Sequence, residues 1–209
     1  MTSGCLQLLS IVAFAALIVA CGDDGAPNQV TQEPPTRNGS AASTLTPGDE
    51  TVDFSLTSDA FRDGEAIPSR FTCDGEDIWP ALSWEGAPDE AQSFALTMDD
   101  PDAPGGTFNH WLIYNMGGGA RGLSEGIEMA DRPLDGPNGG FQGRNDFGDI
   151  GYGGPCPPGG QSHRYEFRLY AVVGLIDLGP GASKDELLAA LEGHMLAVTT
   201  LNGTYQRAA

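Results

Sequence analysis

Glycine and proline interrupt this chain so often that it is limited to short elements joined by ordered turns. There are 30 Gly and 15 Pro among 209 residues, gathered in clusters such as APDEAQ, DAPGG, MGGG and DGPNGG. Glycine tolerates positive φ, and proline fixes φ and lacks a backbone N–H, so such clusters end strands and helices. The runs between them have the period of β-structure. VDFSLTS sets Val52, Phe54 and Leu56 against polar neighbours, and SFALTM points Phe94, Leu96 and Met98 one way. HWLIYNM, His110 to Met116, is more continuously apolar, as expected of a strand covered on both faces. In YEFRLYAVV, Tyr165, Phe167, Leu169, Ala171 and Val173 share one face. One helix is expected from Ser183, where Ser183 and Glu186 form a capping box ahead of LLAALEG and Gly193 is the stop. HMLAVTTLNGTYQR is expected to start as a further helical turn and become a strand over Val198–Tyr205. The fold class that fits is mainly β: an antiparallel β-sandwich with a helix near the C-terminus.

The N-terminal part has a different character. Met1–Cys21 holds no charged side chain, and Leu8–Ala20 is apolar apart from Ser10. That run is shorter than the ~20 residues a bilayer span needs and has the length of a secretory h-region. It ends in Ile18-Val19-Ala20-Cys21-Gly22, which resembles the bacterial lipobox. That resemblance implies a signal peptide over 1–20, lipidation of Cys21, and export to a bacterial cell-envelope membrane. The n-region MTSGCLQ lacks the usual Lys or Arg. Residues 21–50 hold almost no large apolar side chain, so they read as a linker between the lipidated cysteine and a domain over 51–209. Removal of the signal takes Cys5, and lipid takes Cys21. Cys73 and Cys156 remain, and in an oxidising compartment a disulfide between them is the economical reading.

Charge narrows the partners. The 29 acidic residues outweigh the 10 basic ones, giving a formal net charge of −19, and Lys184 is the single lysine. A nucleic-acid backbone needs clustered cations, so nucleic acid is excluded as a partner, and docking on anionic lipid through a basic patch is disfavoured.

Three stretches carry the chemistry: FTCDGEDIWPALSWEGAP, TMDDPDAPGGTFNHWLIYNM and GRNDFGDIGYGGPCPPGGQSHRY. Taken together, in this order, they resemble the phosphatidylethanolamine-binding protein family, in its bacterial Raf-kinase-inhibitor-like branch, from about Val52 to Arg207. Asp100-Pro101-Asp102-Ala103-Pro104 matches the D-P-D-A-P signature, His110 the pocket histidine, and His163-Arg164-Tyr165 the H-R-Y signature. The resemblance implies a β-sandwich with a small anion-binding cavity at one end. Asp100, His110, Pro158, His163 and Tyr165 are the ligand-binding candidates, with Asp102 and Pro104 as secondary ones. A tyrosine that some relatives carry in a longer insert before the pocket histidine has no counterpart here.

The residues themselves support such a pocket. His163 and Tyr165 lie two apart on a strand, so both point to one face, while Arg164 points the other way and is assigned to an acid of the NDFG stretch. Pro155, Pro157 and Pro158 pre-set a loop that walls the site, and its glycines expose amides. Imidazole, phenol and amide groups supply donors for a phosphate- or carboxylate-sized anion without a lysine. Asp100 is expected to hold His110 or His163 in its protonated form, and Asp102 equally to cap a tight turn. Trp79, Trp84 and Trp111 are assigned to the core, with Trp111 facing away from its neighbour His110. His194 is expected at an exposed helix end, and Asp146 in a pair with an arginine.

Three functions are weighed. The leading one is a non-enzymatic binding protein, tethered by lipid, for a small anion or phospholipid headgroup, inhibiting or regulating a partner protein. A hydrolase using His110, His163 and Asp100, with or without zinc, is the second; Ser162 lies on the opposite face from His163, and no nucleophile has an activated context. A structural envelope protein is the third. No cofactor and no metal is expected, since C-x-x-C and Cys/His zinc spacings are absent.

Overall fold

The computed structural model of the chain describes residues 53–126 and 139–208, so the expected signal segment, Cys21 and the linker lie outside the described residues. The elements run β1 (Ser55–Thr57), β2 (Leu82–Glu85), β3 (Ser93–Asp100), β4 (Phe108–Gly117), β5 (Gly122–Leu123), β6 (Phe141–Gln142), β7 (Ser162–Val172), α1 (Lys184–Leu191) and β8 (Met195–Gln206). All strand pairings are antiparallel. They form a three-stranded sheet, β1-β2-β5, and a five-stranded sheet, β6-β4-β3-β7-β8.

The apolar alternation read from the sequence builds the layer between the sheets. Phe94, Leu96 and Met98 of β3, Trp111 and Ile113 of β4, and Tyr165, Phe167, Leu169 and Ala171 of β7 meet Leu56, Leu82, Trp84 and Leu123 of the small sheet. Burying each such large side chain stabilises the fold by about 1.5–3 kcal/mol. Trp79 stacks on Trp111 with ring centroids 5.3 Å apart, so all three tryptophans are core residues. The outer face of the large sheet is covered as well over β3, β4 and the end of β7. Ala95, Leu112, Tyr114 and Tyr170 pack against Leu187 and Leu191 of α1. Strand β3 is therefore buried at every position rather than on one face, because a distant helix folds back over its second face.

The helix starts as the capping box requires. Ser183 Oγ accepts from the Glu186 amide, and the Glu186 carboxylate accepts from the Ser183 amide. Gly193, with φ +75°, ends it. The expected extra helical turn does not form. The His194 amide donates to Leu191 O and its carbonyl accepts from Val173, so the chain reverses at once and β8 begins at Met195. Val173, expected on the buried face of β7, lies past the strand end and is exposed.

Strand β3 ends in two consecutive buried carboxylates, Asp99 and Asp100. Asp99 faces the α1 side. Its Oδ1 lies 2.7 Å from Lys184 Nζ and 3.0 Å from Asn109 Nδ2, and its Oδ2 lies 3.3 Å from Thr97 Oγ1 and 3.7 Å from Arg168. The single lysine is thus committed to a structural charge pair.

A second tie crosses between loops. Cys73 and Cys156 are disulfide-bonded with Cα atoms 5.5 Å apart. Three hydrogen bonds flank the bridge: Cys73 N to Pro155 O, Tyr152 Oη to Phe71 O, and Gly154 N to Asp77 Oδ1. Gly154 is required by this close approach, since a Cβ there would lie 2.6 Å from both Asp77 Oδ1 and Phe71 O.

Two stability outcomes follow from these ties. Replacing Cys73 and Cys156 by serine should lower the unfolding free energy by up to about 4 kcal/mol, the chain-entropy figure for a loop of this length, read from the urea midpoint. An unchanged midpoint would show that the bridge adds nothing to the three flanking bonds. Lys184→Met should cost about 2 kcal/mol, as it leaves a buried carboxylate with a weaker set of partners, and Lys184→Met with Asp99→Asn should recover part of that loss.

Candidate functional site

The geometry where β3 ends and β4 and β7 begin comes from a single irregularity. Met98 pairs with Trp111, but the next pair is Asp99 with Asn109, so His110 is an extra residue in β4. Such a bulge breaks the alternation of side chains. His110 therefore does not face away from Trp111: its ring meets Tyr165 edge-on, at 5.2 Å, and Tyr165 and Trp111 belong to the same core layer. Asp146 fixes the bulge. Its carboxylate accepts from Asn109 N at 2.7 Å, and its amide donates to Asn109 O. This is the role of Asp146, in place of the expected arginine pair.

On the same side, β3 ends one residue past the Asp99–Glu166 pair, which carries Asp100 alongside Tyr165. Asp100 Oδ2 accepts from His163 Nδ1 at 2.8 Å, and its Oδ1 accepts from Asp102 N at 2.9 Å. Of the two histidines, the carboxylate holds His163. His110 is held instead by a carbonyl, with Nδ1 2.7 Å from Gly153 O. Because a carbonyl only accepts, His110 Nδ1 carries a proton. Burial lowers the pKa of His110 below the usual histidine value, against the opposing pull of the Gly153 carbonyl and the Asp100 charge. Its ring is neutral near pH 7, and its Nε2 carries a lone pair.

Tyr165 is fully buried. Burial, reinforced by the Asp100 charge, raises its pKa far above the usual tyrosine value, so it remains a protonated donor. Its hydroxyl lies near both the Asp100 carboxylate and the Cys156 amide, yet forms a well-shaped hydrogen bond with neither. A buried hydroxyl without a partner is costly, and it marks a position where a bound group would be satisfied.

Asp100, His110, His163 and Tyr165 thus converge. The other candidates do not. Asp102, Pro104 and Pro158 are exposed, and Asp102 clasps the strand end by accepting from Arg164 N at 2.9 Å. Arg164 pairs with Asp102 and Glu166, not with the NDFG acid. Pro155 and Pro157, rather than Pro158, are the buried prolines of the wall. His194 is exposed at the helix end, as expected.

Two aromatic neighbours of His110 lie outside the residues expected from the sequence. Phe108 and Phe147 meet the His110 ring at 5.1 and 5.2 Å, and each other at 4.7 Å. Phe108 lies two residues before His110, a spacing that could have flagged it, whereas Phe147 comes from a loop with no such signal. Phe147 and Gly153 also line a cavity of about 190 Å³ with Cys73, Asp77, Asn145 and Cys156. This cavity adjoins the His110 side of the cluster, and none of the four converging residues lines it. Among the described residues, no group of three or more His, Cys, Asp or Glu side chains is placed to hold a metal ion.

Known proteins share this architecture. The profile described as phosphatidylethanolamine-binding protein matches residues 57–206. A UPF0098 protein of Methanothermobacter thermautotrophicus is 52% identical over 154 residues, covering 74% of this chain and 99% of the relative. Another, from Pyrococcus horikoshii, is 44% identical over 161 residues, covering 77% of this chain and 80% of the relative. Among solved structures, a phosphatidylethanolamine-binding protein homolog from Chlamydia trachomatis is 38% identical with a TM-score of 0.67, covering 74% of this chain and 98% of that one. E. coli YbcL, described as a member of the mammalian PEBP family, is 32% identical with the same TM-score, covering 74% of this chain and 99% of that one. With the matched region spanning both sheets, the bulged strand and the converging cluster, the chain belongs to the phosphatidylethanolamine-binding protein family.

Proposed function

We propose that this protein binds a small anion, such as the phosphate of a phospholipid headgroup, at the cluster of Asp100, His110, His163 and Tyr165. The observation that carries the reading is the buried Tyr165 hydroxyl, which lies near the Asp100 carboxylate and the Cys156 amide without a well-shaped hydrogen bond to either and stands beside His110 and the Asp100–His163 pair. An anion there accepts from Tyr165 Oη. It reaches His110 once Nε2 is protonated, so binding draws a proton onto that ring. The Asp100 carboxylate supports the donor role of His163 and repels an unpartnered anion less than its charge suggests, because it already accepts two hydrogen bonds. The reading is one of binding rather than catalysis. Ser162 is exposed on the far side of β7, and the cluster holds donors and one engaged carboxylate but no activated nucleophile.

The lipobox-like run ending at Cys21 extends the proposal: the domain is tethered to a cell-envelope membrane by lipid on Cys21, where it regulates a partner protein or samples headgroups. Cys21→Ser should release the chain from the membrane fraction and remove the acyl mass from its N-terminal peptide. A variant that still partitions into detergent with unchanged mass would overturn the tether.

Anion binding is tested with sulfate, whose charge is constant between about pH 5.5 and 7.5. Affinity should increase as pH falls, by at most roughly tenfold per unit for one linked proton, because the ring to be protonated has a pKa below the ordinary ~6.5. Tyr165→Phe should weaken calorimetric sulfate binding by about 1–2 kcal/mol while leaving stability unchanged or slightly raised, since it deletes a hydroxyl that is unpartnered in the free protein. Asp100→Asn should also weaken binding, although it removes negative charge. Absence of binding by the wild type, or tighter binding by Asp100→Asn, would refute the assignment.

A further inference from the structure

The disulfide has a second property, independent of its bracing role. Its two cysteines line the cavity of about 190 Å³ together with Asp77, Asn145, Phe147 and Asp149. Cys73 is exposed and Cys156 partly so. A disulfide that serves only stability is typically shielded, whereas an exposed one is open to thiol exchange. This one also sits one peptide from the site. The Cys156 amide is beside the Tyr165 hydroxyl, and Gly153, three residues earlier, accepts from His110.

We propose that Cys73–Cys156 is a thiol-exchange site entered through this cavity, and that its opening loosens the Gly153–Cys156 wall and weakens the anion site. The coupling half rests on the anion-binding reading above; the exchange half does not. In the step, a thiolate enters the cavity and attacks the sulfur of Cys73, the more exposed residue of the pair. A mixed disulfide forms on Cys73 as Cys156 leaves as a thiolate, which takes up a proton. A second thiol of the reductant then displaces Cys73, which is protonated in turn. The protein gains two electrons and two protons, and a small dithiol, or a pair of small monothiols, is oxidised to its disulfide.

Charge selects the reductant. The cavity walls carry the Asp77 and Asp149 carboxylates. Asp74 stands next to Cys73, with its own charge committed to Arg207 and Tyr205. An anionic thiol is repelled from this entrance, and an uncharged or cationic one is not. The change stays local because the wall keeps its other ties when the bridge opens: Gly154 to Asp77, Cys73 N to Pro155, and Tyr152 to Phe71.

The experiment uses the full chain, with any free thiols blocked by iodoacetamide before reduction. Reduction rates, normalised to thiolate concentration and to each thiolate's rate with a small uncharged disulfide, are compared for cysteamine, 2-mercaptoethanol and 3-mercaptopropionate, and should fall in that order. The spread should shrink at high salt and in Asp149→Asn. Equal rates, or no reduction without denaturant, would overturn the exchange site. Sulfate binding is then measured on oxidised protein and on protein reduced with dithiothreitol. Reduced protein should keep its near- and far-UV dichroism and bind roughly tenfold more weakly. Unchanged affinity, or global unfolding on reduction, would overturn the coupling. Failure of the oxidised protein to bind sulfate would instead remove the anion-binding reading and the coupling with it, and the order of rates would then decide the exchange site by itself.

Discussion

Two carboxylates next to each other at the buried end of a central strand cannot share one partner, because consecutive residues of a strand face opposite ways. Asp99 and Asp100 impose this problem on the whole large sheet. On one face, Asp99 draws in Lys184 from the start of α1 and Arg168 from β7, which fixes where the helix docks. On the other, Asp100 holds His163 of the neighbouring strand. The helix layer and the site are two answers to the same constraint, and an error in β3 register would strand both acids.

The bulge at His110 is the second requirement. A regular β4 would turn this ring toward the Asp99 face and away from Tyr165. The extra residue returns it to the side of Asp100 and Tyr165, where the edges of Phe108 and Phe147 confine it. The resulting enclosure is apolar enough to lower the imidazole pKa and polar enough, through the Gly153 carbonyl, to set which nitrogen bears the proton. A cluster so arranged offers the Tyr165 hydroxyl as a donor and a His110 Nε2 that donates only once it is protonated, rather than net positive charge. In a chain with a formal charge of −19, whose long-range field repels anions, the proposed anion site would have to work through short-range hydrogen bonds.

Much of this was legible along the sequence. Period-two alternation marked the strands, the Ser183–Glu186 spacing marked the helix start, and the D-P-D-A-P, His110 and H-R-Y stretches pointed to the family and to the four residues that converge. Local rules were enough there, since capping, pleating and turn chemistry act over a few residues. The same rules also produced the errors. Alternation placed His110 and Trp111 on opposite faces, and local charge matching paired Asp146 and Arg164 with the wrong partners.

What only the tertiary structure decided was set by contacts between residues far apart in the chain. The sequence by itself determined that the domain is a mainly β sandwich with one late helix, and which imidazoles, phenol and carboxylate it offers to a site. The register shift that turns His110, the choice of Gly153 for one histidine and Asp100 for the other, the unpartnered Tyr165 hydroxyl, and the capture of the only lysine by Asp99 all depend on how three strands, one loop and one helix meet. Hydrogen-bond partners and burial belong to pairs of segments, and a periodicity read along one segment carries no information about the other.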